Sequence, residues 1–156
     1  MKKNKSGITK SFIKKLIDTE SIRVIRTPYV IQEHLAKRAG KHCDLRIQRI
    51  NGNVLESWAL PRCRIPEKMG EKVLAIRTKP HSRLWLYFEG EIGEGYGKGT
   101  VKILQKGLAN ILNWGPHYLH FNIGGPKISG TFLLIRFKNE KDNWLLIRTK
   151  DKKMRL

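Results

Sequence analysis

His42, Asp44 and Arg46 stand two residues apart in the stretch His42-Cys43-Asp44-Leu45-Arg46-Ile47. Successive side chains of a strand point to opposite faces, so these three project together while Cys43, Leu45 and Ile47 face a core. Residues two apart on a strand lie roughly 6–7 Å from each other. An imidazole and a carboxylate at that separation can converge on one divalent ion with bonds of about 2 Å. The planar fork of Arg46 suits a pair of phosphate oxygens. A metal, a phosphate and a very basic chain point to phosphoester chemistry on nucleic acid. The competing reading of the same segment is a half-exposed strand whose wet face is polar.

The composition sets the frame for that chemistry. Lys and Arg number 32 against 13 acidic residues, a net charge of +19. Such a charge repels itself in a compact chain unless a polyanion offsets it, and nucleic acid stands ahead of an anionic membrane as the partner. The length of 156 residues and the 40% hydrophobic content fit one folded domain with a real core. Two cysteines, Cys43 and Cys63, supply neither a disulfide framework nor paired metal-ligand spacing, and Cys43 reads as a small core residue. Residues 1–15 are basic without a continuous apolar stretch, and no apolar run approaches membrane-spanning length. The expectation is a soluble, cytoplasmic protein with no membrane partner.

The elements that must position the triad follow from pattern. Residues 1–27 read as a basic N-terminal segment in which Phe12, Ile13, Leu16 and Ile17 form a short helix after Ser11. Residues 28–156 read as a β domain. A strand over 29–34 is followed by a basic loop over 35–41. Asn51-Gly52 then predicts a two-residue type I′ turn, which sets Leu45 opposite Trp58 and Cys43 opposite Leu60 on the core face. On the other face Asp44 and Arg46 meet the small residues Ala59 and Ser57, leaving floor space for a ligand. Ile47 against Glu56 fits poorly and suggests partial exposure near the turn. Further strands are predicted over 72–79, 84–92, 99–106, 117–123, 128–138 and 143–150, with a helical turn at 108–112. So many strands with turns between them predict a mainly β protein, a single compact β-barrel with one or two short flanking helices.

The glycines between Gly90 and Thr100 fail as a phosphate loop, because Gly99 follows Lys98 where Ser or Thr is needed and a strand follows where a helix should start. They read as turn residues. His117 and His120 read as surface or hydrogen-bonded histidines. His34 and His81 each close or follow a strand near the triad. In the predicted strand 84–92, Trp85, Tyr87 and Glu89 share one face and Leu84, Leu86 and Phe88 the core face. Trp85 and Tyr87 could stack on unpaired bases, or pack.

Nine segments in order carry a family resemblance. They are Tyr29-Val-Ile-Gln-Glu-His34, His42-Cys-Asp-Leu-Arg46, Ser57-Trp-Ala-Leu-Pro61, Leu74-Ala-Ile-Arg77, His81, Phe88-Glu-Gly90, Gly95-Tyr-Gly-Lys-Gly-Thr-Val101, Gly130-Thr-Phe-Leu-Leu-Ile-Arg136 and Asn143-Trp-Leu-Leu-Ile147. Together, over roughly residues 28–151, they resemble the 3′-phosphoesterase domain of bacterial DNA ligase D, also found as a free-standing protein. The resemblance implies a β-barrel enzyme, usually manganese-dependent, that removes a 3′-terminal ribonucleoside and then the 3′-phosphate. By position it implies His34, His42 and Asp44 as metal ligands, Arg46 and His81 as phosphate-contacting catalytic residues, and Gln32 in the same pocket. Trp85 stands where the family has a Tyr, a substitution that bears on substrate binding. Lys79-Pro80 replaces an acidic pair, and the family's acidic segment before the first block is not recognisable in residues 1–27.

The combined expectation is a metal-dependent 3′-end-processing phosphoesterase in DNA repair and end joining, with Mn²⁺ as cofactor ahead of Zn²⁺ or Co²⁺. Its partners would be DNA 3′ ends in primer–template or duplex and, as a candidate, a separate DNA ligase or end-joining protein. A monomer suffices for a single barrel. The rival expectation is a basic β-barrel that binds nucleic acid or DNA ends without catalysis.

Overall fold

The structure, a computed structural model, describes residues 9–18, 21–137, 140–151 and 153–155. Helix α1 (Lys10–Asp18) is followed by strands β1 (Ser21–Arg23), β2 (Ile25–Ala36), β3 (Gly40–Gln48), β4 (Val54–Pro61) and β5 (Lys72–Ser82). A short 3-10 turn (Arg83–Leu86) leads into β6 (Gly90–Ile92), β7 (Gly99–Gly115), β8 (Tyr118–Gly124), β9 (Ser129–Arg136), β10 (Asn143–Thr149) and β11 (Lys153–Arg155). The order β2-β3-β4-β5-β10-β9-β8-β7, with β7 pairing back onto β2, closes an antiparallel barrel of eight strands. Closure leaves no free edge in the barrel wall. β6 extends the sheet beyond β7, and β1 pairs with β11 in a separate parallel ribbon.

Alternation of side chains divides the wall into two faces. Tyr29, Ile31, Leu45, Trp58, Leu60, Phe121, Phe132 and Trp144 fill the interior. Trp58 and Trp144 meet edge to face at 5.4 Å between ring centroids, the arrangement favoured by the ring quadrupoles. The register predicted from Asn51-Gly52 holds throughout: Leu45 faces Trp58, Cys43 faces Leu60, Asp44 faces Ala59 and Arg46 faces Ser57. The turn itself differs. Only Asn51 takes a positive φ, and the Gly52 N–H donates to the Arg49 carbonyl, so the link is a longer loop with the same register. In α1, Thr9 rather than Ser11 caps the start by accepting from the Phe12 N–H, and Phe12 docks on Tyr118.

Four expectations are corrected. Residues 84–92 are not one strand: the chain turns at Arg83–Leu86, and Leu84, assigned to the core, is exposed while Glu89 reaches back to the Ile103 N–H. Residues 108–112 continue β7 instead of coiling, because both edges of that stretch are paired, to β2 and to β8. Ile47 and Glu56 are both buried, and Glu56 tolerates this because Arg49 and Arg77 pair with its carboxylate. Cys43 and Cys63 form a disulfide. Arg62 and Cys63 both adopt left-handed backbone, and the Cys63 N–H bonds to the Leu60 carbonyl. This curls the chain back over Cys43, the cross-strand partner of Leu60. Among the described residues, no helix is long and apolar enough to cross a membrane.

Candidate active site

The outer face of β2, β3 and β4 carries the polar residues singled out above. Cross-strand pairing places His34 opposite His42, and Gln32 opposite Asp44. The face is roofed by the segment that follows β5: Leu86 packs on Val30 and Leu55, with Trp85 and Ile103 beside them. Residues that alternation alone would leave in water are therefore buried, with His34, Asp44 and Arg46 between 3% and 7% exposed.

His34, His42 and Asp44 form a cluster whose ligand atoms all lie within 4.8 Å of one another. Proton bookkeeping shows what the cluster is suited to hold. The Nε2 of His34 lies 2.7 Å from the Gly97 carbonyl, which can only accept, so Nε2 carries the proton and Nδ1 presents a lone pair. The Nδ1 of His42 points at the Gly40 carbonyl at 3.3 Å, leaving Nε2 with a lone pair by the same reasoning. Both lone pairs aim at Asp44 Oδ2, at 3.5 and 3.3 Å. Two ligands each about 2.1 Å from one ion are about 3–3.4 Å apart at octahedral or tetrahedral angles, so both histidine–carboxylate spacings suit a divalent cation. Without one, a proton must relieve the repulsion. Accordingly, contact with Asp44 raises the His42 pKa against the opposing effect of burial. Burial works to raise the Asp44 pKa, but His42 and Arg46 overcome it and hold the carboxyl below its ordinary range. Neutral imidazoles with a carboxylate suit manganese, zinc or cobalt.

Arg46 is fixed beside this cluster. Its Nε donates to Gln32 Oε1 at 2.8 Å, one terminal nitrogen to Ser57 Oγ at 3.0 Å and the other to Asp44 Oδ2 at 3.3 Å. These bonds engage three of its five N–H groups and leave two for a phosphate. Its guanidinium lies over the Trp85 ring, 4.9 Å from the centroid. Burial lowers its pKa and Asp44 opposes the effect, yet a guanidinium stays charged. Gln32 is fully buried and donates its amide to the Trp85 and Phe88 carbonyls at 2.7 and 3.0 Å. It ties the roof to the wall and orients Arg46.

His81 reaches the site through a β-bulge. Across β4 and β5, Leu55 pairs with His81 but Ser57 pairs with Thr78, so Lys79 and Pro80 together oppose Glu56. The extra residue returns His81 to the face that Thr78 occupies, and a proline without an N–H is tolerated at such a point. The Lys79-Pro80 pair is this bulge. His81 Nδ1 bonds to the Lys79 carbonyl at 2.8 Å, so Nε2 carries the lone pair, and the ring packs edge-on against Trp85 at 5.2 Å. Burial and then Arg46 lower its pKa, so the free imidazole is neutral at neutral pH. Trp85 thus touches both Arg46 and His81, placed there by the 3-10 turn and not by a strand. Tyr87, its partner in the expected stacking face, points away, 64% exposed under Lys106.

Sequence reasoning missed the backbone part of the site. The carbonyls of Gly40 and Gly97 select the histidine tautomers, and a carbonyl leaves no trace in residue type. The glycine-rich stretch still carried a signal: a Cβ at Gly97 would meet His34 at 3.4 Å, and one at Gly99 would lie 1.9 Å from the Leu35 carbonyl oxygen. His117 and His120 lie apart from the site; His120 is buried and bonds to Thr149 Oγ1 at 3.0 Å.

In comparisons with known proteins, the family model described as the DNA ligase D 3′-phosphoesterase domain matches residues 32–136. No curated protein matches the chain.

Proposed function

Because the chain belongs to the DNA ligase D 3′-phosphoesterase domain family, we propose that it is a metal-dependent hydrolase of phosphoesters at DNA 3′ ends. It would remove a 3′-terminal ribonucleoside, a 3′-phosphate or both during repair and end joining. The observation that carries this reading is the convergence of one ligand atom each from His34, His42 and Asp44 within 4.8 Å of one another, with both imidazoles turned toward the same carboxylate oxygen. His34, His42 and Asp44 would hold a divalent ion, Mn²⁺ first among candidates. When bound, the ion supplies Lewis-acid polarisation of the phosphoryl group.

The other steps belong to side chains. The two remaining N–H groups of Arg46 bind phosphoryl oxygens and stabilise the charge that grows on them in the transition state. Because Gln32, Ser57 and Asp44 already hold the fork, little reorganisation accompanies substrate entry. His81 takes a proton at Nε2 as phosphoryl charge enters beside it, then delivers that proton to the leaving oxygen. Trp85 keeps Arg46 and His81 apart and excludes water from the guanidinium face. The basic surface binds the duplex that leads to the 3′ end, with an affinity that falls steeply with salt. A separate DNA ligase is the natural recipient of the trimmed end, and the barrel acts as a monomer.

The test is incubation with a labelled primer–template ending in a 3′-ribonucleotide or a 3′-phosphate, with Mn²⁺ and with EDTA. Trimming that needs metal and disappears in His42→Ala supports the proposal. Salt-sensitive binding of the same DNA without trimming would instead support a non-catalytic end-binding barrel.

A further inference from the structure

A cleft of about 470 Å³ opens on the outer wall beside the metal cluster, with His42 as the shared boundary. Register fixes its position. Asp44 pairs with Ala59 on β4, and Ala59 pairs with Ile76 on β5. Two inter-strand spacings therefore separate Asp44 from Ile76, about 10 Å, with the cleft floor between them. Ala59 and Ile76 make that floor apolar, and the Thr78 hydroxyl beside them is its polar group. Lys41, Arg62 and Tyr96 stand at the rim, and among the described residues no acidic side chain lines the cleft.

Tyr96 has no evident structural duty. It is 72% exposed, in the glycine-rich loop whose neighbour Gly97 holds His34. An exposed aromatic ring next to an apolar floor offers a π-face on which a base can stack. An apolar slot, one exposed ring and flanking cations match a nucleoside joined to a phosphate: the base has a π-face and apolar surface, the sugar has hydroxyls, and the linkage is anionic.

We propose that this cleft seats the terminal nucleoside on the leaving side of the scissile phosphate, with its base stacked on Tyr96 and its sugar hydroxyls near Thr78. This deepens, and rests on, the reading of the site as a 3′-end phosphoesterase. Lys41 and Arg62 then flank the linkage from the side opposite Arg46. The site accordingly discriminates between an end that carries a base and one that does not, whatever the sequence of the DNA behind it.

The experiment uses the full chain loaded with Mn²⁺ and two primer–templates of equal charge. Each ends in a non-hydrolysable methylenephosphonate link, to a terminal nucleoside in one and to an abasic sugar in the other. Fluorescence anisotropy should show the nucleoside end bound about tenfold more tightly, within the range that one base-stacking aromatic produces. Tyr96→Ala should abolish this preference, and Tyr96→Phe should keep it. Because Tyr96 is exposed, neither variant threatens the fold. Equal affinity of the two ends in the unaltered protein, or an undiminished preference in Tyr96→Ala, would overturn the assignment. Failure of the underlying enzymatic reading is recognised separately, as absence of Mn²⁺-dependent trimming of the hydrolysable ends.

Discussion

Replacing Asp44 with Asn tests the centre of the site with the smallest change of shape. Asp44 Oδ2 lies 3.3 Å from Arg46, 3.3 Å from His42 and 3.5 Å from His34. Both Asp44 and Arg46 are almost completely buried. Removing one partner of a buried ion pair costs about 3–5 kcal/mol, chiefly because the other charge is left uncompensated. Asn retains a carbonyl oxygen for the Arg46 hydrogen bond, and Gln32 and Ser57 still hold the guanidinium, so about 2–3 kcal/mol is the expected loss. For a domain of this size that lowers Tm by about 4–12 °C. Metal adds a second readout. Mn²⁺ at about a hundred times its Kd stabilises the native state by about 2.7 kcal/mol, or about 5–11 °C. The Asn variant loses its anionic ligand and should show little of that shift. Thermal denaturation of both proteins, with Mn²⁺ and with EDTA, separates the two effects. A metal-induced rise in Asp44→Asn equal to that of the unaltered protein would refute the metal-site argument. An unchanged Tm in EDTA would refute the claim that Asp44 compensates Arg46.

Three further outcomes are expected. His42 must be neutral to bind metal, and Asp44 raises its pKa, so protons compete from above the ordinary imidazole range. Apparent Mn²⁺ affinity by calorimetry should therefore fall as pH is lowered from about 8 to about 6, with about one proton released on binding; a flat profile contradicts the proton that Asp44 holds on His42 in the metal-free site. Gly99→Ala places a Cβ 1.9 Å from the Leu35 carbonyl oxygen at a φ of +153°, so it should cost about 2 kcal/mol or more and weaken metal binding by displacing His34. A normal Tm and normal Mn²⁺ affinity would mean that this end of β7 yields freely. The Cys43–Cys63 bond closes a loop of 20 residues and should contribute about 3 kcal/mol. Dithiothreitol should lower the Tm of the unaltered protein to that of Cys63→Ser and leave the variant unaffected.

Local pattern and tertiary structure determined different parts of this protein. Strand period and the Asn51-Gly52 link were enough to place Cys43, Leu45 and Ile47 inside, and to set Asp44 and Arg46 over Ala59 and Ser57. Those are short-range consequences of pleat and register, and any fold that keeps the hairpin keeps them. The basic composition and the order of short motifs likewise pointed to a barrel of the phosphoesterase kind. The residues gathered from farther along the chain were decided by packing. The segment from 84 to 92 alternates like a strand, but burying Leu86 against Val30 and Leu55 favours a 3-10 turn, and that turn sets Trp85 against Arg46. His81 faces the site because a bulge at Lys79-Pro80 shifts its parity, a defect that periodicity cannot anticipate. Cys63 reaches Cys43 only after a left-handed turn reverses the chain. The histidine tautomers depend on two backbone carbonyls, one of them 63 residues away from the ring it binds. Side-chain direction along one strand is a local property that sequence encodes directly, whereas convergence of distant atoms within hydrogen-bonding distance exists only once the barrel has closed.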